Sequence, residues 1–245
     1  MSLDYSAQYA LFHPDTPGHR QGLTLLHHRM LASRLPADRA TPILDVGCGR
    51  GYVIEDLRAL GYTRVSGIDI DAGQAAHARQ RGLDVTHVTR TEEFLTARPG
   101  SYGAILLLDV LEHVPRADQP DFLRAISRSL APGGRLICSV PNAASGIGGY
   151  WFHNDYTHQA SFTGDSLTFL LSQTGFTNVR CGGIELFPRP RFLFWLPTRR
   201  SLAWWFRVCS RLRRRTEFIA ELGWERGRSV TLTPNLLATA DRAPA

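Results

Sequence analysis

From Thr41 to about Gly183 the chain alternates short apolar runs with segments whose apolar positions recur at helical spacing. Ile43–Val46 (ILDV) runs into glycines, and Gly51–Leu60 sets Val53, Ile54, Leu57 and Leu60 on one helical face. Arg64–Ile70 predicts a second strand, Asp71–Arg81 a helix closed by Gly82, and Asp84–Val88 a third strand. Tyr102–Val110 (YGAILLLDV) is apolar on both faces, as a central strand of a parallel sheet requires. Asp118–Leu130 turns Phe122, Leu123, Ile126 and Leu130 inward and is stopped by Pro132-Gly133-Gly134, ahead of a fifth strand at Arg135–Val140. Thr163–Thr174 predicts a helix ended by Gly175, and Asn178–Gly183 a sixth strand. Ser229–Ala240 predicts a last strand with a bulge at Pro234, since proline has no N–H to give a ladder. Ahead of all these, Gln21–Leu35 predicts a helix.

Strands alternating with crossover helices indicate an α/β fold with a doubly wound sheet. With no internal repeat and no low-complexity linker, residues 1–245 read as one domain: a helical extension (1–40), a core (41–183), a basic aromatic insertion (184–228) and a last strand with its tail (229–245). A first insertion covers about Ala143–Phe162. Hydrophobic residues make up 43% of the 245, enough for one large core, and no apolar run approaches the length of a membrane span. The first basic residue is Arg20 and the opening segment does not resemble a secretion signal; Cys48, Cys138, Cys181 and Cys209 stand far apart, as free thiols of a reducing compartment. The expected location is the cytoplasm, at the inner face of the membrane if the basic insertion binds lipid.

Charge sharpens this picture. The net charge is +6, every basic residue is arginine, and nine arginines lie between Arg189 and Arg215 without one acid. In the rest of the chain, acids outnumber bases. Nucleic-acid binding spreads positive charge over a larger face, so no nucleic-acid partner is expected.

The turn after the first strand, LDVGCGRGYV, carries Gly47, Gly49 and Gly51 at G-x-G-x-G spacing, not the G-x-G-x-x-G of dinucleotide sites. Asp45 precedes it. A pyrophosphate wants helix-terminal N–H groups and no carboxylate nearby, whereas a carboxylate suits an ammonium group. Asp69, 20 residues after Gly49, ends the second strand where an acid can accept from ribose hydroxyls. A nucleoside with a cationic tail meets both conditions.

The ordered set LDVGCGRGYV, GIDID, LLLDVLEHVP and LAPGGRLICSVPN resembles class I S-adenosylmethionine-dependent methyltransferases over about two-thirds of the chain. The resemblance implies a Rossmann-like seven-stranded sheet with its last strand antiparallel and helices on both faces. It implies S-adenosyl-L-methionine as cofactor, its methionine end lined by Asp45, Gly47, Gly49 and Gly51 and its ribose held by Asp69. Cys48, Ile70, Asp109 and Val110 complete the implied cofactor contacts. One position departs: Arg90, in VTRTEEF, stands where such proteins often carry an Asp near the adenine, with Glu92 as a substitute.

Methyl transfer from a sulfonium is an in-line displacement in which the protein aligns the acceptor and, for a hydroxyl, takes its proton. The candidates on the acceptor side are Asp109, Glu112 and His113 in DVLEH, and His153, Asp155, Tyr156 and His158 in WFHNDYTHQ. Glu112-His113 reads first as a structural helix start. Its second reading is a mixed O/N metal site with Asp109 and either His153 or His158, and no metal is assigned. The segment WFHNDYTHQASFTGDSLTFLLSQTGF resembles methyltransferases of surface-polysaccharide and lipid-linked glycan assembly. Asp155 and His158, three apart, share a face on a helical turn. Either Asp155 orients His158 as the base for a sugar hydroxyl, with His113 beside it, or the pair fastens the insertion over the cofactor. The expected acceptor is a glycan or glycolipid hydroxyl; the alternatives are a polyprenyl quinone precursor or other small phenol, and a non-catalytic cofactor-binding scaffold.

SLAWWFRVCSRLRRR (201–215) remains. As a helix it lines up Leu202, Trp205, Phe206, Cys209 and Leu212, with Arg207, Arg211 and Arg214 on another face. It reads either as a packing or homodimer helix with solvated arginines, or as peripheral membrane contact through residues 189–215.

Overall fold

The computed structural model describes residue 14, residues 16–185 and residues 198–243, the side chain of Arg200 aside. Residues 1–13 of the predicted helical extension and 186–197 of the basic insertion, with Arg189 and Arg191, lie outside the described residues.

The apolar runs form one seven-stranded sheet in the order β3-β2-β1-β4-β5-β7-β6. Its strands are β1 (Ile43–Val46), β2 (Val65–Asp69), β3 (Val85–His87), β4 (Tyr102–Leu108), β5 (Leu130–Pro141), β6 (Phe176–Ile184) and β7 (Asn235–Arg242). Pairing is parallel from β3 through β5, and β7 runs antiparallel between β5 and β6, as the resemblance implies. Side chains alternate across the sheet, so Leu44 and Val46 join one core layer while Ile43 joins the other. The first layer is completed by α5 (Gln119–Ser129), with Phe122, Leu123 and Ile126, and by α7 (Gly164–Ser172), with Leu167 and Leu171. The second receives Val53, Ile54 and Leu57 of α2 (Tyr52–Ala59), Ala75 and Ala78 of α3 (Ala72–Gln80), and Met30 and Leu31 of α1 (Pro17–Leu31). A fully buried leucine or isoleucine among these contributes about 2 kcal/mol.

Several boundaries move for identifiable reasons. Helix α1 starts at Pro17 rather than Gln21, because Thr16 caps it by accepting from His19 N (3.3 Å) and proline suits the first turn. Strand β5 begins at Leu130, paired with Tyr102, so Pro132-Gly133-Gly134 is an irregularity inside its span rather than a stop before it. A short helix, α4 (Thr91–Thr96), was not predicted: six residues carry too few apolar positions to show a period. The same holds for α6 (Gly148–Asn154) in the first insertion.

The predicted last strand is corrected most. Ser229 ends a helix and β7 starts only at Asn235. Pro234 makes no bulge. Its carbonyl accepts from Asn142 N (2.8 Å), while the buried Asn142 amide donates to Thr231 O and Thr233 O (2.8 Å each). Asn142 holds residues 231–234 in place of a ladder. The register shift falls instead in β6, between Thr177 and Arg180, where Asn178 takes φ 51°. Asparagine tolerates that left-handed conformation.

The stretch 201–215 lies wholly within α8 (Arg199–Leu222), which starts on a Thr198–Ser201 capping box and is followed by α9 (Trp224–Ser229). Among the described residues no helix is long and apolar enough to cross a membrane.

Helix α1 is tied to α2 through the buried Asp56. Arg20 donates to both its oxygens (2.6 and 3.1 Å), Thr24 donates to one (3.1 Å), and His27 Nδ1 lies 2.6 Å from the other. Burial alone would raise this carboxyl, but the hydrogen bonds from His27 and Arg20 outweigh it and hold Asp56 at about 2. Its contribution is therefore complete above the ordinary carboxylate value and lost as pH falls through about 2. Asp56→Asn is expected to cost about 1–3 kcal/mol in urea unfolding at neutral pH. The variant should also show a shallower loss of stability than the parent over the acidic range.

Candidate cofactor and acceptor site

The carboxyl ends of β1, β2, β4 and β5 meet at one edge of the sheet, and the chemistry-bearing residues gather there. After Val46 the backbone turns back, and Gly47 N and Cys48 N both donate to Ile68 O (2.9 and 3.1 Å). Gly47, Gly49 and Gly51 all take left-handed φ values (70°, 52° and 77°). At Gly47 the need is also steric: a Cβ would meet Val110 Cγ2 at 2.6 Å. Cys48 is buried against Gly67, and burial pushes its thiol far up, so it packs as a neutral side chain. Ile70, at the end of β2, is an apolar side chain 68% exposed.

Asp69 fastens this loop to β2. Its Oδ2 accepts from Gly49 N (2.7 Å) and its Oδ1 from Asp71 N (2.8 Å). A carboxylate has about four acceptor positions, so both oxygens retain capacity for hydroxyls. Asp45 differs. It is buried, its Oδ2 has no hydrogen-bond partner among the described residues, and burial followed by the Asp69 charge pushes it up to about 8. An isolated acid there costs stability unless a cation reaches it. Arg90, the departure near the adenine position, pairs with Glu93 at 3.2 Å on the exposed start of α4.

On the acceptor side, Asp109 ends β4 with φ 53°, a left-handed value that aspartate, like asparagine, can adopt. Ser139 supports it: Asp109 N donates to Ser139 O (3.0 Å), and the Ser139 hydroxyl donates to Asp109 Oδ1 (3.0 Å). Asn235 Nδ2 reaches the same oxygen at 3.2 Å, so the ends of β4, β5 and β7 share one hub. A 3₁₀ turn, Leu111–His113, then carries Glu112 inward. Glu112 is 1% exposed, and neither carboxylate oxygen has a partner among the described residues. Burial first, then the Asp109 charge, raises it well above the usual carboxylate range. Its backbone carbonyl accepts from Gln159 N (2.7 Å) and Ala160 N (3.1 Å), which fixes the first insertion over the turn.

The expected Asp155–His158 hydrogen bond does not form: the closest approach is 4.0 Å. Asp155 Oδ1 is taken instead by Thr157, through its backbone N (2.8 Å) and its hydroxyl (2.6 Å). Burial opposes ionisation of Asp155, but these two bonds hold it below the usual range. The Thr157 oxygen lies 2.8 Å from His113 Nδ1. Since the single hydroxyl proton goes to Asp155, that oxygen accepts from His113 Nδ1–H, which leaves the lone pair on Nε2. Asp155 is therefore linked through Thr157 to His113, while its other oxygen stays 4.0 Å from His158 Nε2. Burial, then the charge of His158, pushes His113 down to about 4, so it is neutral near pH 7.

The two imidazole rings lie 4.7 Å apart, and the Nδ1 of His158 is buried without a partner among the described residues. One ligand atom from each of Glu112, His113 and His158 lies within 4.8 Å of the others. One carboxylate and two imidazoles can hold a divalent cation or handle a proton. Asp109 and the exposed His153 are not part of that group. Thr157, Ser139, Asn142 and Asn235 were not foreseen as site residues. For Thr157 a signal existed, because a hydroxyl two residues after an aspartate commonly bonds it.

A glycine turn with an unpaired buried acid before it and a second acid at the end of β2 defines a class I domain for S-adenosylmethionine. The orphaned carboxylate of Asp45 fits the ammonium of that cofactor, and Asp69 fits its ribose. The chain belongs to the methyltransferase domain family, whose model matches residues 19–180. Among curated relatives it is 37% identical over 105 residues to a ubiquinone biosynthesis O-methyltransferase of Caulobacter sp. (strain K31), a match covering 41% of this chain and 40% of that protein. With the ubiquinone biosynthesis O-methyltransferase of Dinoroseobacter shibae it is 31% identical over 182 residues, covering 65% of this chain and 72% of the relative. The chain thus spans about two-fifths of the length of the first relatives it matches. Of solved structures, an S-adenosylmethionine-dependent methyltransferase from Archaeoglobus fulgidus superposes with a TM-score of 0.70 at 18% identity, over 98% of this chain and 100% of that one. The Haemonchus contortus phosphoethanolamine N-methyltransferase 2, solved in complex with S-adenosyl-L-methionine, gives 0.59 at 18% identity over 98% and 56%. At such identities these two show the fold.

Because Asp45 is protonated up to about pH 8 in the free protein, an arriving ammonium must displace its proton. S-Adenosylmethionine binding is expected to release protons at pH 7 and to tighten as pH rises toward about 8. Calorimetry in two buffers of different ionisation enthalpy reads this directly, and Asp45→Asn should abolish both the release and the pH dependence.

Proposed function

We propose that this methyltransferase transfers the methyl group to a hydroxyl on the ring of a polyprenyl quinone precursor or related phenol. The observation that carries this reading is the shared name of its curated relatives, ubiquinone biosynthesis O-methyltransferases, at 31–38% identity. It displaces the saccharide hydroxyl that the first insertion suggested, while keeping the same chemistry. S-Adenosylmethionine supplies an electrophilic methyl on a sulfonium; the protein has to hold the acceptor oxygen in line and remove its proton. His113, neutral and presented through Nε2, is the base, with Thr157 and Asp155 setting its tautomer. Glu112 and His158 flank it within reach of a shared cation or proton. A phenol is a stronger acid than a sugar hydroxyl and asks less of an imidazole.

The test is methyl transfer from labelled S-adenosylmethionine to a panel of phenols, prenylated phenols, saccharides and lipid extracts. Label in phenols supports the reading; label only in saccharides overturns it. His113→Gln is expected to lower kcat at least about 100-fold with cofactor affinity unchanged. Thr157→Val should lower kcat by roughly tenfold at nearly constant KM, and Thr157→Ser, which restores the hydroxyl, should recover most of it.

A further inference from the structure

Helix α8 leaves one apolar stripe in water, where an ordinary surface helix buries such a stripe and gives its charges to solvent. Leu202 (44% exposed), Trp205 (45%), Phe206 (70%) and Leu212 (61%) face outward at helical spacing, with the exposed Cys209 between them. The face turned toward the domain is mixed: Trp204, Val208, Phe218 and Ile219 are half-buried there beside several arginines. Arg211 grips Glu185 with two hydrogen bonds (2.5 and 3.1 Å), and Arg214 reaches Ala144 O (3.5 Å). Arg215 donates to Gly227 O, Arg228 O and Val230 O (2.8, 2.8 and 2.6 Å). Two of the three arginines expected on a free basic face, Arg211 and Arg214, therefore dock the helix instead. These contacts fix its roll, so the apolar stripe is held outward.

The geometry points to an anionic lipid surface as the occupant of this stripe. Helix α8 carries seven arginines and two glutamates. A two-fold contact with a second copy would set two such helices against each other and oppose like charges. A layer of anionic headgroups has the complementary charge. Trp205, Phe206, Leu202 and Leu212 enter the acyl boundary, while Arg199 at one end of the stripe extends to the phosphates and Arg213 at the other, paired with Glu217 at 2.7 Å, exchanges that partner for them. The helix also rests on the first insertion: Ser210 lies against Gly146, next to the Ala144 carbonyl that Arg214 reaches. That insertion carries Asp155, Thr157 and His158. Docking through α8 brings the acceptor side of the site to the lipid surface, whichever hydroxyl is methylated there.

Cosedimentation of the full chain with vesicles of phosphatidylcholine, with and without about one-third phosphatidylglycerol, tests this. The protein should bind the anionic vesicles, bind pure phosphatidylcholine weakly, and be released by salt. Trp205→Ser/Phe206→Ser/Leu212→Ser should weaken binding by more than about tenfold while circular dichroism and S-adenosylmethionine affinity stay as in the parent. If the triple variant fails to fold, Phe206→Ser alone, at the most exposed position, should show a smaller loss in the same direction. A parent that ignores anionic vesicles, or a folded variant that binds them equally well, overturns the proposal. So does a parent dimer that the triple variant splits in sedimentation without any vesicle binding. Failure to methylate any phenol with vesicle binding intact would overturn the acceptor reading alone, and this one would stand.

Discussion

The organisation of the site depends on one constraint: an acid, Asp45, held in the protein interior with no cation beside it among the described residues. Its position follows from β1, which lies between β2 and β4 and is buried along its whole length. Strand alternation turns Asp45 to the same side as Ile43, toward α1 and α2, just where the backbone must turn sharply through Gly47. The neighbouring Asp69 spends hydrogen bonds on Gly49 and Asp71 to stiffen that turn. Among the described residues nothing similar is done for Asp45 Oδ2. The fold keeps the loop rigid and leaves the acid before it unsatisfied, an arrangement that favours a cationic nucleoside over the phosphates that glycine turns often bind.

Glu112 repeats the pattern on the other side of the site. It too is a buried carboxyl without a partner among the described residues, and the nearby Asp109 raises it further. The surroundings are nevertheless tightly built. Asp109 is held in its left-handed conformation by Ser139 and Asn235, and the Glu112 carbonyl anchors the insertion that carries Thr157. The first acid suits a cofactor cation, and the second lies with two imidazoles whose ligand atoms come within 4.8 Å of its own.

The sequence was legible where local chemistry and global fold agree. The apolar runs of β1 and β4, the glycines at 47, 49 and 51 and the acids at 45 and 69 announce the sheet, its turn and its ligand, because each has one dominant physical reason to be there. Legibility failed where a residue's role depends on what the fold brings to it. Asp155 and His158 are neighbours in sequence, yet the turn between them gives the carboxylate to Thr157 and so to His113, 44 residues away from that threonine. Asn142 and residues 231–234 are joined across about ninety positions. The helical period of α8 was plain in the sequence, but which of its faces meets the domain was not, because arginine contacts with Glu185 and with backbone carbonyls decide it.

These features share a logic that reaches beyond the site. A sequence that folds well satisfies its buried polar groups and covers its large apolar ones, and departures concentrate where a ligand completes the structure. Among the described residues, Asp45 Oδ2, the Glu112 carboxyl and His158 Nδ1 lack hydrogen-bond partners, and the stripe on α8 lacks a cover. The first insertion links two of them: the Glu112 carbonyl holds it at Gln159 and Ala160, and α8 reaches it at Ala144. If α8 docks on lipid as proposed, an acceptor with a polar ring and a long apolar tail would meet them in reverse order: the tail in that surface, the hydroxyl at His113, and the methyl donor over the glycine turn. For such a molecule, docking the enzyme on the surface that holds the tail replaces extraction of that tail into water, so binding does not have to overcome the full hydrophobic cost of solvating it.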